Sequence, residues 1–590
     1  MSTSAIILVS CIGLTLVVHL LSEYGLKCVG LAPHKVKLPG PRTVPFFGNF
    51  LELRNGHART FVKWAQKYGP IMRIVVGDRE AVILNTYGAV QKTLISQGQA
   101  FQGRPEFRMY HGLFAMAADH DAPPTLGTSP WTDKISTYRK HLGLQTAGHK
   151  LNRYNHFVAR RLFRFVNLLA SDSRKGPRDL GFHLWTSTIG LSADMCFGTR
   201  IGEEEARMIS YAEIDIFREP RTLGQPLHIA VPILDMAQKA LRPIQGPLRT
   251  LGLSGFLDSV DASESAAKKL RMTEIGYVGR LKEETKARVK AGDTTPSQLG
   301  DIIRSFGDSY TPHDEYKVAT SLVGSGMGTG TLILWLAAML ASRPDIQAKA
   351  QAAIDAEYGS ETPDPLDTDR VEYIQALGLE AGRYFASTRL GFPRETTEDV
   401  IVDGVLIPAG TIVMHNTFSV NRDPARYDHV DKFIPERWID GHYGRVDQKG
   451  PRVGVPHLTN GAGRRYCLGV PCEDCLLLSA GANADPPLDV NKMLYGTIIL
   501  LLHFFNMERA ALDEEGRNEV FPAYRASAEA SNELHPITDQ ISECAAQALP
   551  KAAGIRLTPR DPEALARWLA DGHQLMDQFE RPDASVGEAF

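Results

Sequence analysis

Apolar residues recur at helical spacing along most of the chain, and runs with the alternation of a β-strand are few. Residues 58–68 have the spacing of an amphipathic helix, whereas Ile71–Val76 and residues 81–84 flank a Gly-Asp turn as in a β-hairpin. Between residues 139 and 290, apolar and charged residues alternate at helical spacing with few strand signals. The pattern predicts a mainly α domain with a small β lobe.

One long helix is predicted over residues 312–343, because acidic residues near its start suit a helix N-terminus and Pro344 favours a stop. Residues 324–331 inside it contain four glycines, each of which destabilises a helix interior by about 1 kcal/mol relative to alanine. Two explanations stay open: a flat ligand that approaches the backbone closely, or a tightly packed helix crossing.

The first 22 residues contain no charged side chain and have nearly the length, about 20 residues, that a membrane-spanning helix needs. Lysines follow this apolar run rather than precede it, which predicts a membrane anchor with the rest of the chain on the cytoplasmic side. A buried core helix is the alternative. Prolines stiffen residues 23–50, so we expect a proline-rich linker there and the main domain over residues 51–590.

The composition excludes several classes of protein. With 590 residues, 43% hydrophobic and 23% charged, the chain has the composition of a globular protein. A net charge of −3 gives no basic excess for a phosphate backbone, so no nucleic-acid partner is expected. Seven irregularly spaced cysteines do not form a disulfide framework, which leaves room for a single functional thiolate. The sequence has no glycine-rich nucleotide loop, so electrons for redox chemistry would come from another protein.

The segment Gly-Ala-Gly-Arg-Arg-Tyr-Cys-Leu-Gly that ends at Gly469 is the sharpest signal. Glycines let a loop pass close to a planar ligand, Arg465 can neutralise an acidic edge of that ligand, and the sulfur of Cys467 can bind a metal. The segment resembles the haem-binding loop of the cytochrome P450 family, Phe-x-x-Gly-x-Arg-x-Cys-x-Gly. Gly463, Arg465, Cys467 and Gly469 match that pattern, whereas Asn460 stands where the family has phenylalanine.

The resemblance implies a cytochrome P450 fold that binds haem b, with Cys467 as the axial thiolate ligand to iron. Gly463, Arg465 and Gly469 would be cofactor-binding residues. Asn460 would alter the hydrogen bonding around the thiolate and hence the potential of the iron.

Three further pieces occur in the order and at the spacing that the family shows. The sequence Glu-Ala-Gly-Arg from Glu380 to Arg383 resembles the Glu-x-x-Arg motif, although such a pair is by itself usually a solvated helix pair. By resemblance, Arg437 completes a structural triad with Glu380 and Arg383. Arg394, after Pro393, stands where the family has an arginine that binds a haem propionate.

In the glycine-rich helix, Thr329 matches the threonine of the family motif Ala/Gly-Gly-x-acid-Thr, but Gly328 stands in place of the acid. The resemblance implies that Thr329 is catalytic and helps to deliver protons during activation of O2. Water or Ser325 would have to replace the missing acid, or the enzyme handles oxygen less tightly than its relatives.

The arginine for the second propionate is less clear. The family has Trp-x-x-x-Arg, yet Trp131 is followed at that offset by Ile135. Arg139 and Lys134 are the candidates to compensate.

The resemblance spans nearly the whole chain, and residues 125–130 and 380–385 are also similar to the fungal phenylacetate hydroxylase branch. It implies a monooxygenase that inserts one atom of O2 into a small organic substrate, an aromatic acid or a fungal secondary metabolite. The electrons would come from a separate NADPH-cytochrome P450 reductase. The haem domain would lie on the cytoplasmic side of the endoplasmic reticulum membrane, held by a single-pass anchor. Residues 101–124, 214–247 and 389–395 would shape specificity.

Residues 472–490 disagree with this interpretation. The family continues from the cysteine loop directly into a helix, whereas here two prolines interrupt the chain before the apolar run that begins at Lys492. We interpret residues 472–490 as an insertion, and a translated intron is one hypothesis for its origin.

Two alternative functions remain. Cys467, Cys472 and Cys475 have the spacing of three ligands in plant-type iron–sulfur proteins, with Cys544 as a fourth, which would make the chain an electron carrier. The other alternative is a haem-binding protein with impaired or no monooxygenase turnover, because of Gly328, Asn460 and the insertion.

Overall fold

The computed structural model describes most of the chain. The described residues are 34–53, 56–77, 79–106, 125–146, 148–218, 232–439, 457–469, 492–525, 527–543, 545 and 547–580. The predicted anchor at residues 1–22 and the suspected insertion at residues 472–490 lie outside them, as do Cys472, Cys475 and Cys544. Those predictions therefore stay predictions.

Helices dominate the described residues. They are α1 (Phe50–Leu53), α2 (His57–Tyr68), α3 (Tyr87–Val90), α4 (Asp133–Thr146), α5 (Asn155–Asp172), α6 (Gly181–Phe197), α7 (Glu203–Arg218), α8 (Pro232–Leu241), α9 (Gln245–Thr250), α10 (Gly255–Lys290), α11 (Gln298–Phe306), α12 (Pro312–Val323), α13 (Gly326–Ser342), α14 (Pro344–Tyr358), α15 (Glu372–Phe385), α16 (Thr417–Val420), α17 (Lys492–Phe504), α18 (Glu514–Glu519) and α19 (Pro562–Glu580). The prediction of a mainly α domain with a small β lobe is confirmed.

In the described part of the chain, the strands form one four-stranded sheet and two two-stranded sheets, of which β4-β5 is a hairpin and β7-β8 joins distant segments. They are β1 (Ile71–Val76), β2 (Arg79–Leu84), β3 (Arg394–Glu395), β4 (Val400–Val402), β5 (Val405–Ile407), β6 (Ile412–His415), β7 (Phe505–Arg509) and β8 (Ile555–Pro559). The larger sheet has the order β1-β2-β6-β3, with β2 parallel to β6 and the other pairs antiparallel. The predicted hairpin is confirmed, with Val76 opposite Arg79 at its tight end. This sheet holds Arg394 opposite Val413.

The helical core is built around α6 and α13, which are apolar on nearly every side and bury Trp185 and Trp335. A buried ion pair holds α5 against α6: Nε of Arg161 lies 2.7 Å from Oδ2 of Asp194, and Nη2 lies 2.9 Å from Oδ1. Asp194 also accepts the backbone N–H of Ile201 at 2.8 Å. Because the Asp194 carboxylate is paired with Arg161 and accepts a backbone hydrogen bond, its buried charge is compensated.

The predicted long helix begins at Pro312 as expected but is interrupted, because α12 ends at Val323 and α13 begins at Gly326. Just after the interruption, α13 packs closely against α6. A Cβ on Gly326 would collide with the backbone of Thr188, and one on Gly330 would lie only 2.5 Å from Oγ1 of Thr188. Of the two explanations that the sequence left open, a tight helix crossing therefore accounts for Gly326 and Gly330.

By length and composition, the segment Pro312–Ser342 is apolar enough to cross a membrane. However, 67% of its most apolar window is buried inside the protein, which is typical of a core helix.

Candidate functional site

The loop before Gly469 folds back on itself so that Cys467 is held at its exposed side. The backbone N–H of Cys467 donates to the carbonyl oxygen of Asn460 at 3.0 Å. Gly461 and Gly463 have φ angles of 87° and 58°, a backbone region that favours glycine. A Cβ on Gly463 would also collide with the carbonyl oxygen of Leu94. The glycine at 463 is thus required by close approach to another part of the chain, and its loss would move the cysteine.

Asn460, where the family pattern has phenylalanine, is used inside this loop. Its backbone accepts the hydrogen bond from Cys467, and its side chain is hydrogen-bonded to the phenol of Tyr466. Burial raises the pKa of Tyr466, and the nearby Cys467 adds to that effect. Tyr466 therefore stays a neutral hydrogen-bonding group next to the sulfur.

Arg465 points away from the exposed side of the loop and is buried. Its Nε donates to the carbonyl oxygen of Gln102 at 2.9 Å, its Nη2 donates to that of Ser129 at 2.6 Å, and its guanidinium lies over the ring of Trp131. Its Nη1 has no hydrogen-bond partner among the residues that the structure describes. One donor of Arg465 is thus left for a ligand.

Arg394 joins the sheet to the cysteine loop, because its Nη2 donates to the carbonyl oxygen of Ala462 at 2.8 Å. Within the described part of the chain, its Nε has no partner. Arg104 lies beside this segment, with Nη1 donating to the carbonyl oxygen of Pro393 at 2.7 Å and Nε to that of Gly127 at 2.9 Å. The sequence did not single out Arg104. The one hint was that Arg104 lies near the start of residues 101–124, which were expected to shape specificity.

Arg139 and Lys134 have different surroundings, although both lie on α4. Nη2 of Arg139 donates to the carbonyl oxygen of Tyr466 at 2.7 Å, which brings its charge to the cysteine loop. Nζ of Lys134 instead lies 2.6 Å from Oδ2 of Asp314, near the start of α12. Of the two candidates, the structure brings Arg139 to the site and directs Lys134 elsewhere.

Four arginines, Arg104, Arg139, Arg394 and Arg465, therefore surround the cysteine loop. Burial lowers the pKa of Arg465 to about 9 and that of Arg139 to about 10, and it lowers the pKa values of Arg104 and Arg394 as well. Repulsion from the other members lowers the pKa of three of the four further, whereas Cys467 raises that of Arg139. Among the described residues, no carboxylate forms an ion pair with any of them. Such a cluster fits a group that carries more than one carboxylate.

Glu380, Arg383 and Arg437 are brought together in one cluster, in which Glu380 and Arg383 are fully buried and the side chain of Arg437 is 7% exposed. The guanidinium of Arg383 binds both carboxylate oxygens of Glu380, at 2.8 and 2.7 Å, and Nε of Arg437 lies 3.2 Å from the same carboxylate. The indole N–H of Trp438 donates to it at 2.9 Å and the backbone N–H of Ile434 at 2.8 Å. The motif is therefore not a solvated helix pair.

This cluster is connected to the cysteine loop through Asn421. Nη1 of Arg383 donates to the carbonyl oxygen of Asn421 at 3.1 Å. The side chain of Asn421 in turn accepts from the backbone N–H of Leu458 at 2.8 Å and donates to Thr459 at 3.0 Å. The cluster thus fixes the start of the loop that carries Cys467.

Thr329 lies on a partly exposed side of α13. From residue 322 to residue 332, the residues that keep some solvent exposure recur at helical spacing: Leu322, Ser325, Gly328, Thr329 and Leu332. The rest of α13 is packed in the core. This stripe is the part of α13 that a ligand or water can reach.

Comparison with known proteins identifies one family and several relatives. The family profile described as "Cytochrome P450" matches residues 38–243 and 264–471. The 3-hydroxyphenylacetate 6-hydroxylase of Emericella nidulans is 26% identical over 545 residues, which cover 90% of this chain and 90% of that protein. The phenylacetate 2-hydroxylase of the same fungus is 25% identical, covering 92% and 94%. The cytochrome P450 monooxygenase CYP3 of Mycosarcoma maydis is 25% identical, covering 82% and 84%.

Proposed function

Because the chain belongs to the cytochrome P450 family and is an oxidoreductase of the monooxygenase kind, we propose that Cys467 is the axial ligand of its haem iron. The observation that carries this proposal is an exposed thiol in one loop environment with three buried arginines, Arg104, Arg394 and Arg465, and the partly buried Arg139. A thiolate and a set of cations are the two kinds of partner that an iron porphyrin with two propionates needs.

Arg104, Arg139, Arg394 and Arg465 would hold the propionates. Arg394 and Arg465 each keep one buried donor without a partner among the described residues, and these donors suit charge-assisted bonds to carboxylates. Arg139 would serve as the second anchor in place of the arginine that Ile135 replaces. Haem b, when bound through a thiolate, supplies the reductive activation of O2.

The remaining residues would position the cysteine loop and transfer a proton. The Glu380, Arg383 and Arg437 triad would keep the cysteine loop in place through Asn421. Thr329 would hold a proton at Oγ1 on the open stripe of α13 and pass it toward the reacting oxygen, regaining one from solvent. The exchange balances when substrate, O2, NADPH and one proton give hydroxylated substrate, water and NADP⁺.

For the substrate we propose a small aromatic acid, with a fungal secondary metabolite as the second class. Support for the aromatic acid comes from the two relatives that are named as hydroxylases of phenylacetate and of 3-hydroxyphenylacetate. We further propose an NADPH-cytochrome P450 reductase as the electron donor and a single-pass anchor at residues 1–22 in the endoplasmic reticulum membrane.

The first test is spectroscopic. The carbon monoxide complex of the reduced full-length protein should show the red-shifted Soret band of thiolate ligation, and Cys467→Ser should abolish it while porphyrin binding is measured separately. An unchanged band in the serine variant would refute the ligand, and an iron–sulfur electron carrier would show no such band at all.

The second test concerns turnover. Co-expression with a reductase and analysis of products from phenylacetate should detect a hydroxylated acid. Gly328 is the observation that favours the second candidate, a haem protein with impaired turnover, because glycine cannot relay a proton. That candidate predicts a normal carbon monoxide spectrum and no product from either substrate class.

A further inference from the structure

One side of α13 packs against the chain just before β8. Nε1 of Trp335 donates to the carbonyl oxygen of Ala548 at 2.7 Å, and Oγ1 of Thr331 lies 3.3 Å from Oε1 of Gln547. Gly328 lies one turn earlier on the same side, and a Cβ placed there would have Nε2 of Gln547 as its nearest neighbour, at 3.5 Å. Positions 328, 331 and 335 follow helical spacing. Gln547 is therefore the side chain that faces Gly328.

The orientation of the Gln547 amide follows from its neighbours. Nε1 of Trp185 lies 3.3 Å from Oγ1 of Thr331. An indole N–H can only donate, so the hydroxyl of Thr331 accepts from Trp185 and its own proton is free to bond Gln547. The acceptor on an amide is its oxygen, which places the NH2 group of Gln547 toward Gly328. Trp185 and Thr331 are fully buried, so this orientation is fixed by the core.

The NH2 group of Gln547 lies at the edge of an accessible region. Gly328 and Thr329 belong to the partly exposed stripe of α13, and Gln547 is itself half-buried. Because Gly328 has no side chain, the space beside it is open: the hypothetical Cβ would make no contact closer than 3.5 Å. An oriented donor next to such a space favours an acceptor there.

We propose that Gln547 is a positioning residue for the oxygenation, whose Nε2 holds a water beside Gly328, next to the hydroxyl of Thr329. The proposal rests on the proposed function. The water accepts from Nε2, so both of its protons stay available for transfer toward oxygen, and it is reprotonated from solvent. Gln547 would thus replace, from another segment of the chain, the acid that Gly328 lacks.

The step that this water serves can be measured without knowing the organic substrate. One O2, one NADPH and one proton give H2O2 and NADP⁺, whereas one O2, two NADPH and two protons give two water molecules and two NADP⁺. Only the second outcome breaks the O–O bond, and it needs an additional proton at the reacting oxygen. The peroxide formed per NADPH oxidised therefore reports proton delivery.

The test uses the haem-loaded full-length protein with a reductase and NADPH. Gln547→Leu keeps the size of the side chain and removes both polar groups. The peroxide fraction should rise about fivefold, as expected for the loss of one net hydrogen bond. In the Gln547→Leu background, Gly328→Asp puts a carboxylate into the same space and should restore the wild-type fraction, whereas the matched control Gly328→Ala should not.

A second measurement does not depend on turnover. The ultraviolet resonance Raman signal of indole N–H bonding, taken as a difference against Trp185→Phe, should change in Gln547→Leu, because the hydroxyl of Thr331 loses its acceptor. Gly328→Ala should leave this signal unchanged. An unchanged signal in Gln547→Leu would contradict the assigned orientation.

The outcomes separate the two proposals. A wild-type protein without the red-shifted carbon monoxide band would refute the proposed function itself. A wild-type protein with that band, combined with a peroxide fraction that Gln547→Leu does not change, would refute the role of Gln547 alone. A rise that Gly328→Asp fails to reverse would make Gln547 a packing residue and also overturn the inference.

Discussion

Glu380→Gln tests how strongly one buried carboxylate holds the segment that leads to the cysteine loop. The change keeps the shape of the side chain and removes its charge. Arg383 is fully buried with Glu380, both at 0% side-chain exposure, so the variant leaves an arginine without its counter-ion in the core. Breaking a buried pair in this way costs about 3–5 kcal/mol, mostly the desolvation of the charge left behind.

Glu436→Gln is the matched control from the neighbouring segment. Glu436 pairs with Nζ of Lys349 at 2.6 Å, but these side chains are 42% and 59% exposed. An exposed pair contributes about 0–1 kcal/mol, since water solvates both ions once they separate. The same chemical change should therefore have a several-fold smaller effect only one residue away from Arg437.

Urea unfolding of the haem-loaded protein, followed by tryptophan emission and by Soret absorbance, measures both variants. Glu380→Gln should lower the unfolding midpoint much more than Glu436→Gln does, with earlier loss of the Soret signal because the cysteine loop is released. Equal midpoints for the two variants would show that the buried cluster does not hold this part of the fold, and the reasoning from burial would be wrong.

Three further predictions follow from the same contacts. Gly330→Val should destabilise the protein by about 1–3 kcal/mol, since its side chain would overlap Thr188. Gly328→Ala, with its nearest neighbour at 3.5 Å, should lower the unfolding midpoint less than Gly330→Val does in the same urea assay. Arg139→Met should lower the haem retained after gel filtration and Lys134→Met should not, because only Arg139 bonds the cysteine loop; equal retention would contradict the assignment. Burial lowers the pKa of His415 to about 3, from a usual value of 6.5 in the unfolded chain, so the unfolded state takes up a proton first and the unfolding free energy should fall as pH drops from about 6.5 toward 3. Titrating the urea midpoint from pH 7.5 to 4.5 should show a shallower fall for His415→Gln, and identical slopes would mean that His415 is not held neutral.

Short motifs with fixed spacing were predictable from the sequence, whereas contacts between distant segments were not. Glu380 and Arg383 lie one helical turn apart, so their pairing followed from the sequence. Arg104 and Pro393 are 289 residues apart, and their hydrogen bond exists only because the β lobe folds them together. The role of Arg104 therefore had no local signal that distinguishes it from any other loop arginine.

The glycines of α13 show a second limit. Glycine content alone could not separate a ligand from a helix crossing, because the answer depends on which face of the helix meets α6. The structure divides the set: Gly326 and Gly330 contact α6, whereas Gly328 faces Gln547. The pattern of helical spacing also predicts one continuous helix and gives no sign of the interruption at residues 324–325.

The arginine cluster links the stability of the site to what it binds. Arg104, Arg394 and Arg465 are buried, and repulsion within the cluster lowers the pKa of each. These three cations oppose folding of the loop around Cys467, since each has exchanged water for a few carbonyl oxygens. A bound group with two carboxylates would replace the repulsion among the arginines by attraction. Its binding would therefore also stabilise the folded loop. The hydrogen bonds from Arg394 to Ala462 and from Arg139 to Tyr466 join the same cations to the backbone on either side of the cysteine loop. Neutralising the cluster would therefore also fix the position of the sulfur, so the same residues would serve both the proposed carboxylate anchor and the proposed thiolate ligand.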